Sequence, residues 1–388
     1  MSLPLTLRRY GHKTRPTRAK QSSTLLAIHP ALRAFTTAST HTEQCSRPFR
    51  FVVGASWLGK PPGPKPRRSK YLPAAHPFDS KSPIGAWRDQ TLEWPKGVLP
   101  ANKDPGHDFF YIQPMMNNSG LSVGVADGVG GWDDVTNPAL FSQALMYHCH
   151  RYAKRGWAGE PETDPTQGYE ERQTIEGWEL TPAQCLENAH TAVLREKGVV
   201  AGSSTATILN FNSSSGFLRT LNLGDSGFII VRSSNIIYES VYQTHYFNCP
   251  MQLSKIPPNF GGAARDKVSD GHVFEIGLRD GDLVIAYVCP PSRSTPFHTL
   301  TFRQTDGLCD NVFASEMLAL YTLAGRVGGS DEQQVQAVTD NFVHYARACM
   351  VNNHRSGPWA QRSTRAGMPY KGGKIDDVTV VAVLVRES

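Results

Sequence analysis

The last strand-forming segment sets the strongest limit on how this chain can fold. Residues 378–385 read Val-Thr-Val-Val-Ala-Val-Leu-Val, a mostly β-branched run in which apolar and polar side chains do not alternate. β-Branched side chains favour strands. Because successive side chains of a strand point to opposite faces, this strand must be buried on both faces. The chain therefore needs a sheet that is covered by apolar layers on both sides.

Shorter patterns predict the elements that supply those layers. Strands are predicted at residues 109–112, 121–125, 206–211, 217–223, 228–232 and 236–238, the last four as an antiparallel meander joined by Ser, Asn and Gly turns. Helices are predicted after Pro138, after Thr181, and after Ser330, where Gln333 completes a capping box. Their inward faces are Phe141, Leu145, Cys149 and Tyr152; Leu186, Ala189 and Val193; and Val335, Val338, Phe342, Tyr345 and Cys349. This pattern indicates an α+β sandwich.

The net charge of +6 comes from the N-terminal segment. Residues 1–42 carry seven Lys or Arg residues and no acid, and without them 33 basic residues face 34 acidic ones. A segment rich in Arg, Ser and Thr, with a possible matrix-protease cleavage region at residues 33–36, predicts a transit peptide and a mitochondrial matrix location. A basic tail without a targeting role is the alternative. The nearly neutral remainder argues against nucleic-acid binding.

Two absences in the sequence narrow the class of protein further. The sequence contains no run of about 18 apolar residues, so no membrane-spanning helix is predicted. The seven cysteines include no C-x-x-C pair, which favours reduced thiols over a disulfide framework. A Pro-rich connector at residues 59–78 then divides the chain into the transit peptide at 1–42, a linker with the start of the domain at 43–79, and one large domain at 80–388. The oligomeric state is not indicated.

Four aspartates stand where predicted strands meet glycine-rich or polar turns: Asp108, Asp127, Asp306 and Asp376. Turn geometry alone explains a single Asp-Gly pair. Several short carboxylate arms on rigid strand ends, however, can converge on one point. Their mutual repulsion is relieved by divalent cations, and hard oxygen ligands favour Mg²⁺ or Mn²⁺ over zinc. The four aspartates together therefore predict a site with a pair of metal ions.

With these aspartates in their motifs, the chain resembles the metal-dependent phosphatase 2C family of serine/threonine protein phosphatases, and most closely its mitochondrial branch. The motifs are VVGASWLGK at 52–60, GHD at 106–108, GVADGVGGW at 124–132, GSSTAT at 202–207, LNLGDSG at 221–227, HYFN at 245–248 with QL at 252–253, TDGLCDN at 305–311 and KIDDVTV at 374–380. The resemblance implies a β-sandwich of two mainly antiparallel sheets flanked by α-helices, with a binuclear metal site at one end.

The resemblance also implies a role for each acidic residue. Asp108, Asp127 and the Gly128 carbonyl would bind one side of the metal pair, with Asp127 bridging the ions. Asp306 and Asp376 would complete the other side. Asp225 matches a position that in relatives can join a third, weaker metal site, and a simple turn aspartate is the alternative. The implied reaction is hydrolysis of phosphoserine or phosphothreonine on phosphoprotein substrates, by a water bound between two Mg²⁺ or Mn²⁺ ions.

The sequence departs from the family pattern in two places. Many relatives carry a histidine soon after the Asp-Gly pair, a candidate acid for the leaving group, whereas Val129 and Gly130 stand here. Residues 288–304 (VCPPSRSTPFHTLTFRQ) separate the strand at 283–287 from Asp306, where relatives run directly into the turn. We hypothesise that this insertion is a translated intron, because Val-Cys can be encoded by the donor-like GTATGT and Gln by the acceptor-like CAG. If the insertion is retained, a catalytically impaired scaffold or binding module is the alternative function.

Overall fold

The computed structural model describes residues 47–60, 77–94, 104–133, 135–159, 179–258, 266–288 and 307–388. Its strands are β1 (Phe49–Leu58), β2 (Asp108–Pro114), β3 (Gly120–Asp127), β4 (Gly202–Ser204), β5 (Ala206–Asn212), β6 (Phe217–Leu223), β7 (Gly227–Arg232), β8 (Asn235–Glu239), β9 (Thr244–Tyr246), β10 (Cys249–Pro250), β11 (Leu253–Lys255), β12 (His272–Gly277), β13 (Leu283–Tyr287) and β14 (Val378–Glu387). Its helices are α1 (Pro83–Thr91), α2 (Ala139–Ala153), α3 (Pro182–Arg195), α4 (Ala314–Val327), α5 (Asp331–Met350) and α6 (Pro358–Arg365).

Most strands belong to two five-stranded sheets. The first has the order β1-β14-β13-β7-β8 and the second β12-β6-β5-β3-β2. Neighbouring strands in both sheets are antiparallel. One apolar layer lies between the two sheets. A second lies between the second sheet and helices α1, α2 and α3. A third lies between the first sheet and helices α4 and α5. The predicted α+β sandwich of two antiparallel sheets flanked by helices is confirmed.

The terminal strand β14 is buried on both faces, as its sequence predicts. Val380 and Ala382 belong to the layer that packs against α5, whereas Val381 and Val383 belong to the layer between the sheets. All four side chains are at most 1% exposed. The alternation follows from the two-residue repeat of a strand, and burial of each of the three valines contributes roughly 1.5–3 kcal/mol.

The predicted helices α2, α3 and α5 are present, and Thr181 and Ser330 both form the capping boxes that start α3 and α5. One predicted inward residue of α2 is wrong, because Tyr152 lies near the end of the helix and is 37% exposed. The predicted meander is also interrupted. Strand β6 pairs with β5 and β12 in the second sheet, whereas β7 pairs with β8 and β13 in the first. The turn at residues 224–226 therefore carries the chain from one sheet to the other.

Several sequence predictions fall on segments that the structure does not describe. These are the transit peptide at 1–42, the Pro-rich connector beyond Lys60, and residues 289–306, which include Asp306 and most of the insertion. β1 starts at Phe49, inside the segment predicted to contain the start of the domain. Among the helices of the described residues, none has the length and apolar character that a membrane crossing requires.

The two described ends of the insertion have a defined register on β14. Tyr287 pairs with Val380. Gly307 lies against the backbone carbonyl of Asp377, which directly precedes β14 and is three positions before Val380, and it has no room for a side chain there. Because β13 and β14 run antiparallel, a continuation of β13 by three residues beyond Tyr287 would lie opposite Asp377, where Gly307 is found. Two intervening residues therefore suffice to join Tyr287 to Gly307.

Removal of residues 288–304 should therefore leave the fold intact, since Thr305 and Asp306 are then the two joining residues. We expect cooperative thermal unfolding, followed by circular dichroism, with a midpoint within about 5 °C of the full chain. A variant that lacks residues 288–306 is the matched control. It joins Tyr287 directly to Gly307 without the two residues that the strand register requires between them, so it should lose cooperative unfolding. Aggregation of the 288–304 deletion would contradict this expectation.

Candidate metal centre

Strands β2 and β3 place two of the predicted aspartates directly opposite each other. Asp108 is the first residue of β2 and pairs with Asp127, the last residue of β3. Side chains of directly paired residues lie on the same face, with Cβ atoms roughly 4.5–5.5 Å apart. The Gly128 amide then donates to the His107 carbonyl at 3.1 Å, and a Cβ at Gly128 would lie 2.7 Å from that oxygen. Only glycine allows the chain to pass so close to β2.

Asp108 carries a buried carboxylate that the described protein supports only weakly. Its side chain is 0% exposed, and among the described residues no hydrogen bond of regular geometry reaches either oxygen, although the Thr379 hydroxyl and the charge of Lys60 favour the ionised form. Burial, followed by the negative charges of Asp377 and Asp376, raises the pKa of Asp108 well above its usual value. A buried carboxyl group without a partner is destabilising, so a bound cation is the partner that this position fits.

Asp376 and Asp377 approach Asp108 from the other sheet, immediately before β14. The Asp377 carboxylate accepts the backbone amide of Lys60 at 2.7 Å and that of His107 at 3.0 Å. It thereby ties the ends of β1 and β14 to the start of β2. Asp377 has no predicted role, although it stands in the KIDDVTV motif and next to Asp376. A run of two acids was the signal that could have found it.

Lys60 and His107 form a polar pair beside these acids, and neither was predicted. Lys60 Nζ lies 3.2 Å from His107 Nδ1 and 3.6 Å from Asp377 Oδ2. Although burial opposes the shift, the charges of Asp377 and other acids, Asp127 among them, raise the pKa of Lys60. Burial and then the charge of Lys60 lower the pKa of His107, whose Nε2 lies 3.4 Å from Asp133 Oδ1. A neutral imidazole is therefore able to accept a hydrogen bond from Lys60.

Asp225 lies in the buried turn between β6 and β7 and is 1% exposed. Its neighbour Ser226 shares a short hydrogen bond with Thr205, 2.5 Å between the hydroxyl oxygens. The Asp127 amide in turn donates to the Thr205 hydroxyl at 3.3 Å. These bonds hold the turn that carries Asp225 next to the end of β3.

Asp306 lies outside the described residues, but the turn that follows it is well anchored. The buried Asn311 side chain donates to the Gly307 carbonyl at 2.8 Å and to the Lys374 carbonyl at 2.9 Å. Its amide oxygen accepts from the Lys374 amide at 2.9 Å. Asn311 therefore fixes Gly307 beside the segment that leads to Asp376 and Asp377.

The structure thus brings Asp108, Asp127 and Asp376 to neighbouring strand ends, with Asp225 on an adjoining turn. Within the described ranges, no three His, Cys, Asp or Glu side chains are close enough to enclose a metal ion. The residues nevertheless fit such an ion, since the donors are hard oxygens and no hydrogen bond of regular geometry reaches the buried Asp108 oxygens from the described residues.

Replacement of Asp108 by Asn should stabilise the metal-free protein near neutral pH, because burial and the charges of Asp377 and Asp376, which raise the pKa of Asp108, make the ionised carboxylate unfavourable in the folded chain. We expect a gain of roughly 1–3 kcal/mol in the free energy of unfolding, measured by denaturant titration in chelator. Mn²⁺ should stabilise the original chain more than the variant. Asp280→Asn, on an exposed turn before β13, is the control and should produce no gain. An Asp108→Asn variant that is less stable in chelator would contradict this reading of the site.

The chain has relatives among known phosphatases, although no family model matches it. It is 30% identical to the protein phosphatase PTC7 homolog of Xenopus laevis over 296 residues, 75% of this chain and 85% of the relative. It is 31% identical to the probable protein phosphatase 2C 80 of Arabidopsis thaliana over 268 residues, 69% of this chain and 52% of that protein. The solved structure of the photosystem II phosphatase PBCP shares the fold, with a TM-score of 0.54 and 21% identity over 86% of this chain and 98% of that one. The chain therefore belongs to the phosphatase 2C family of protein phosphatases, in the group of PTC7 homologues.

Proposed function

We propose that this chain hydrolyses phosphoserine and phosphothreonine on proteins, using a pair of Mg²⁺ or Mn²⁺ ions held by Asp108, Asp127, Asp306 and Asp376. The observation that carries the proposal is the direct pairing of Asp108 with Asp127 at a strand end that Asp376 approaches from the second sheet. Membership of the phosphatase 2C family supports the reaction type. The Gly128 carbonyl is the fifth proposed ligand, beside Asp127.

The position of Asp306 in this set is supported by its neighbours. Gly307 contacts the Asp377 backbone, and Asn311 holds that contact in place. Asp306 directly precedes Gly307 in the sequence, and this supports its assignment to the side of the metal pair that Asp376 would bind. Asp225 is proposed as a ligand of a third, weaker ion, in line with its burial on the turn next to Asp127.

The metal pair supplies two things to a phosphate ester when bound, namely charge neutralisation and a water of lowered pKa. The residues of the chain determine where these act. Asp377 fixes the strand ends that carry Asp108 and Asp376. Lys60 is cationic and 31% exposed, and its charge interacts with Asp127 and Asp376. It is therefore placed to bind the phosphoryl oxygens of a substrate and to orient the ester.

The location of the protein is a separate part of the proposal. An Arg-rich, acid-free segment at residues 1–42 supports import into the mitochondrial matrix. Apart from this segment the chain has nearly balanced charge, which supports phosphoproteins rather than nucleic acid as partners.

Hydrolysis of a phosphothreonine peptide and of p-nitrophenyl phosphate tests the reaction. Activity should require Mn²⁺ or Mg²⁺ and disappear with chelator. Asp127→Asn should lower kcat/KM by at least about a hundredfold, because one of the carboxylates that would hold the ions is lost. Asp280→Asn makes the same chemical change on an exposed turn near the start of β13, at the opposite end of the strand from the site, and should keep full activity. A folded protein that is inactive with both metals would instead favour the scaffold alternative.

A fusion of residues 1–42 to a fluorescent protein tests the location. The basic, acid-free segment should direct the fusion into mitochondria, where externally added protease does not degrade it. Replacement of the seven Lys and Arg residues of the segment by Gln should abolish import. A diffuse cytosolic signal from the unaltered fusion would contradict the transit-peptide assignment.

A further inference from the structure

Lys374 places an ammonium group between two buried carboxylates. Its Nζ donates to Asp310 Oδ2 at 2.6 Å and lies 3.6 Å from Asp376 Oδ2. The side chains of Lys374, Asp310 and Asp376 are 13%, 0% and 2% exposed. Charges buried to this degree are weakly screened by water and salt, so the three groups interact strongly.

The position of Lys374 is fixed by both its backbone and its side chain. Asn311 bonds the amide and the carbonyl of Lys374, each at 2.9 Å. The ammonium also lies 4.2 Å from the centre of the Trp359 ring, a favourable cation–π distance. Movement of the ammonium into solvent would break the contacts with Asp310 and Trp359.

Asp310 already has a second cation. Arg362 donates to Asp310 Oδ1, so the Asp310 carboxylate is bound by both Arg362 and Lys374. Two positive groups therefore surround this one buried negative group. A net positive charge therefore remains after Asp310 is neutralised, and it acts on the carboxylate of Asp376, 3.6 Å from Lys374 Nζ.

We infer that Lys374 is a positioning residue that lowers the affinity of the centre for divalent cations, by pairing with Asp376 and repelling an ion that binds there. The inference rests on the proposed function, since it takes Asp376 as a metal ligand. Its consequence is that the ion held through Asp376 exchanges readily, so that occupancy follows the concentration of the divalent cation. A metal site without this cation would remain filled at lower concentrations.

Isothermal titration of the metal-free full chain with Mn²⁺ tests this inference. Lys374→Met keeps an unbranched side chain against Trp359 but removes the charge. It should bind Mn²⁺ at least about tenfold more tightly, because a like charge a few ångströms from a divalent ion costs about that factor even when the repulsion is screened as strongly as in water. Lys374→Arg keeps the charge and should stay within about twofold of the original chain. Lys371→Met, an exposed lysine on the same segment, is the matched control and should not change the affinity.

Lys374→Gln keeps a hydrogen-bond donor for Asp310 and gives a second neutral variant should Lys374→Met fail to unfold cooperatively. The same gain in affinity is expected from it. Unchanged or weaker Mn²⁺ binding by a folded neutral variant would overturn the inference, because a merely structural lysine would give that result. Absence of Mn²⁺ binding by the original chain would overturn both this inference and the proposed metal centre, so the two failures are distinguishable.

Discussion

The arrangement of the site depends on one buried carboxylate, that of Asp377. It accepts the amides of Lys60 and His107, and Gly106 approaches it so closely that no side chain would fit there. The carbonyl of the same residue contacts Gly307. Segments that are far apart in the sequence therefore meet at a residue that is not itself a proposed metal ligand. Because Asp108 follows His107 and Asp376 precedes Asp377, this contact determines where both proposed ligands lie.

The distribution of cations around the acids is uneven, and the unevenness has a functional consequence. Lys60 interacts with Asp377, and Lys374 with Asp310 and Asp376, so these carboxylates have internal partners. Asp108 is fully buried, and no hydrogen bond of regular geometry reaches its carboxylate among the described residues. A fold that keeps such a group gives up stability at the site, and the apolar layers on both faces of the sheets offset the loss. Asp108 is therefore the carboxylate whose environment most favours a bound cation.

The sequence predicted the elements whose pattern is local. The terminal strand and the capped helices each carry their signal within a few residues and are present as predicted, and Asp108 and Asp127 lie at the strand ends where their turns placed them. The crossing from β6 to β7 was missed, because hairpin turns and turns between sheets use the same residues. Tyr152 was wrongly predicted to face the core, because helical spacing identifies one face of a helix but not how far along that face the neighbouring elements extend.

The supporting residues of the site were beyond local patterns. Asp376 and Asp377 are chemically identical neighbours, and only the strand register separates the proposed ligand from the residue that joins the segments. Lys60 stands at the start of a Gly- and Pro-rich stretch that reads as a connector, and its contact with His107 spans segments that only the tertiary fold brings together. Lys374 and Asp310 likewise meet across a separation of 64 residues.

The central claim is that Asp108, Asp127, Asp306 and Asp376 meet around a shared pair of cations. Anomalous diffraction at the manganese edge from crystals grown with Mn²⁺ tests it most directly. Two adjacent peaks are expected, both beside Asp127, with aspartate oxygens at about 2.1 Å, close to the distance that Mg²⁺ adopts. Peaks held by other residues, or the absence of any peak beside Asp108 and Asp127 in a well-ordered crystal, would contradict it.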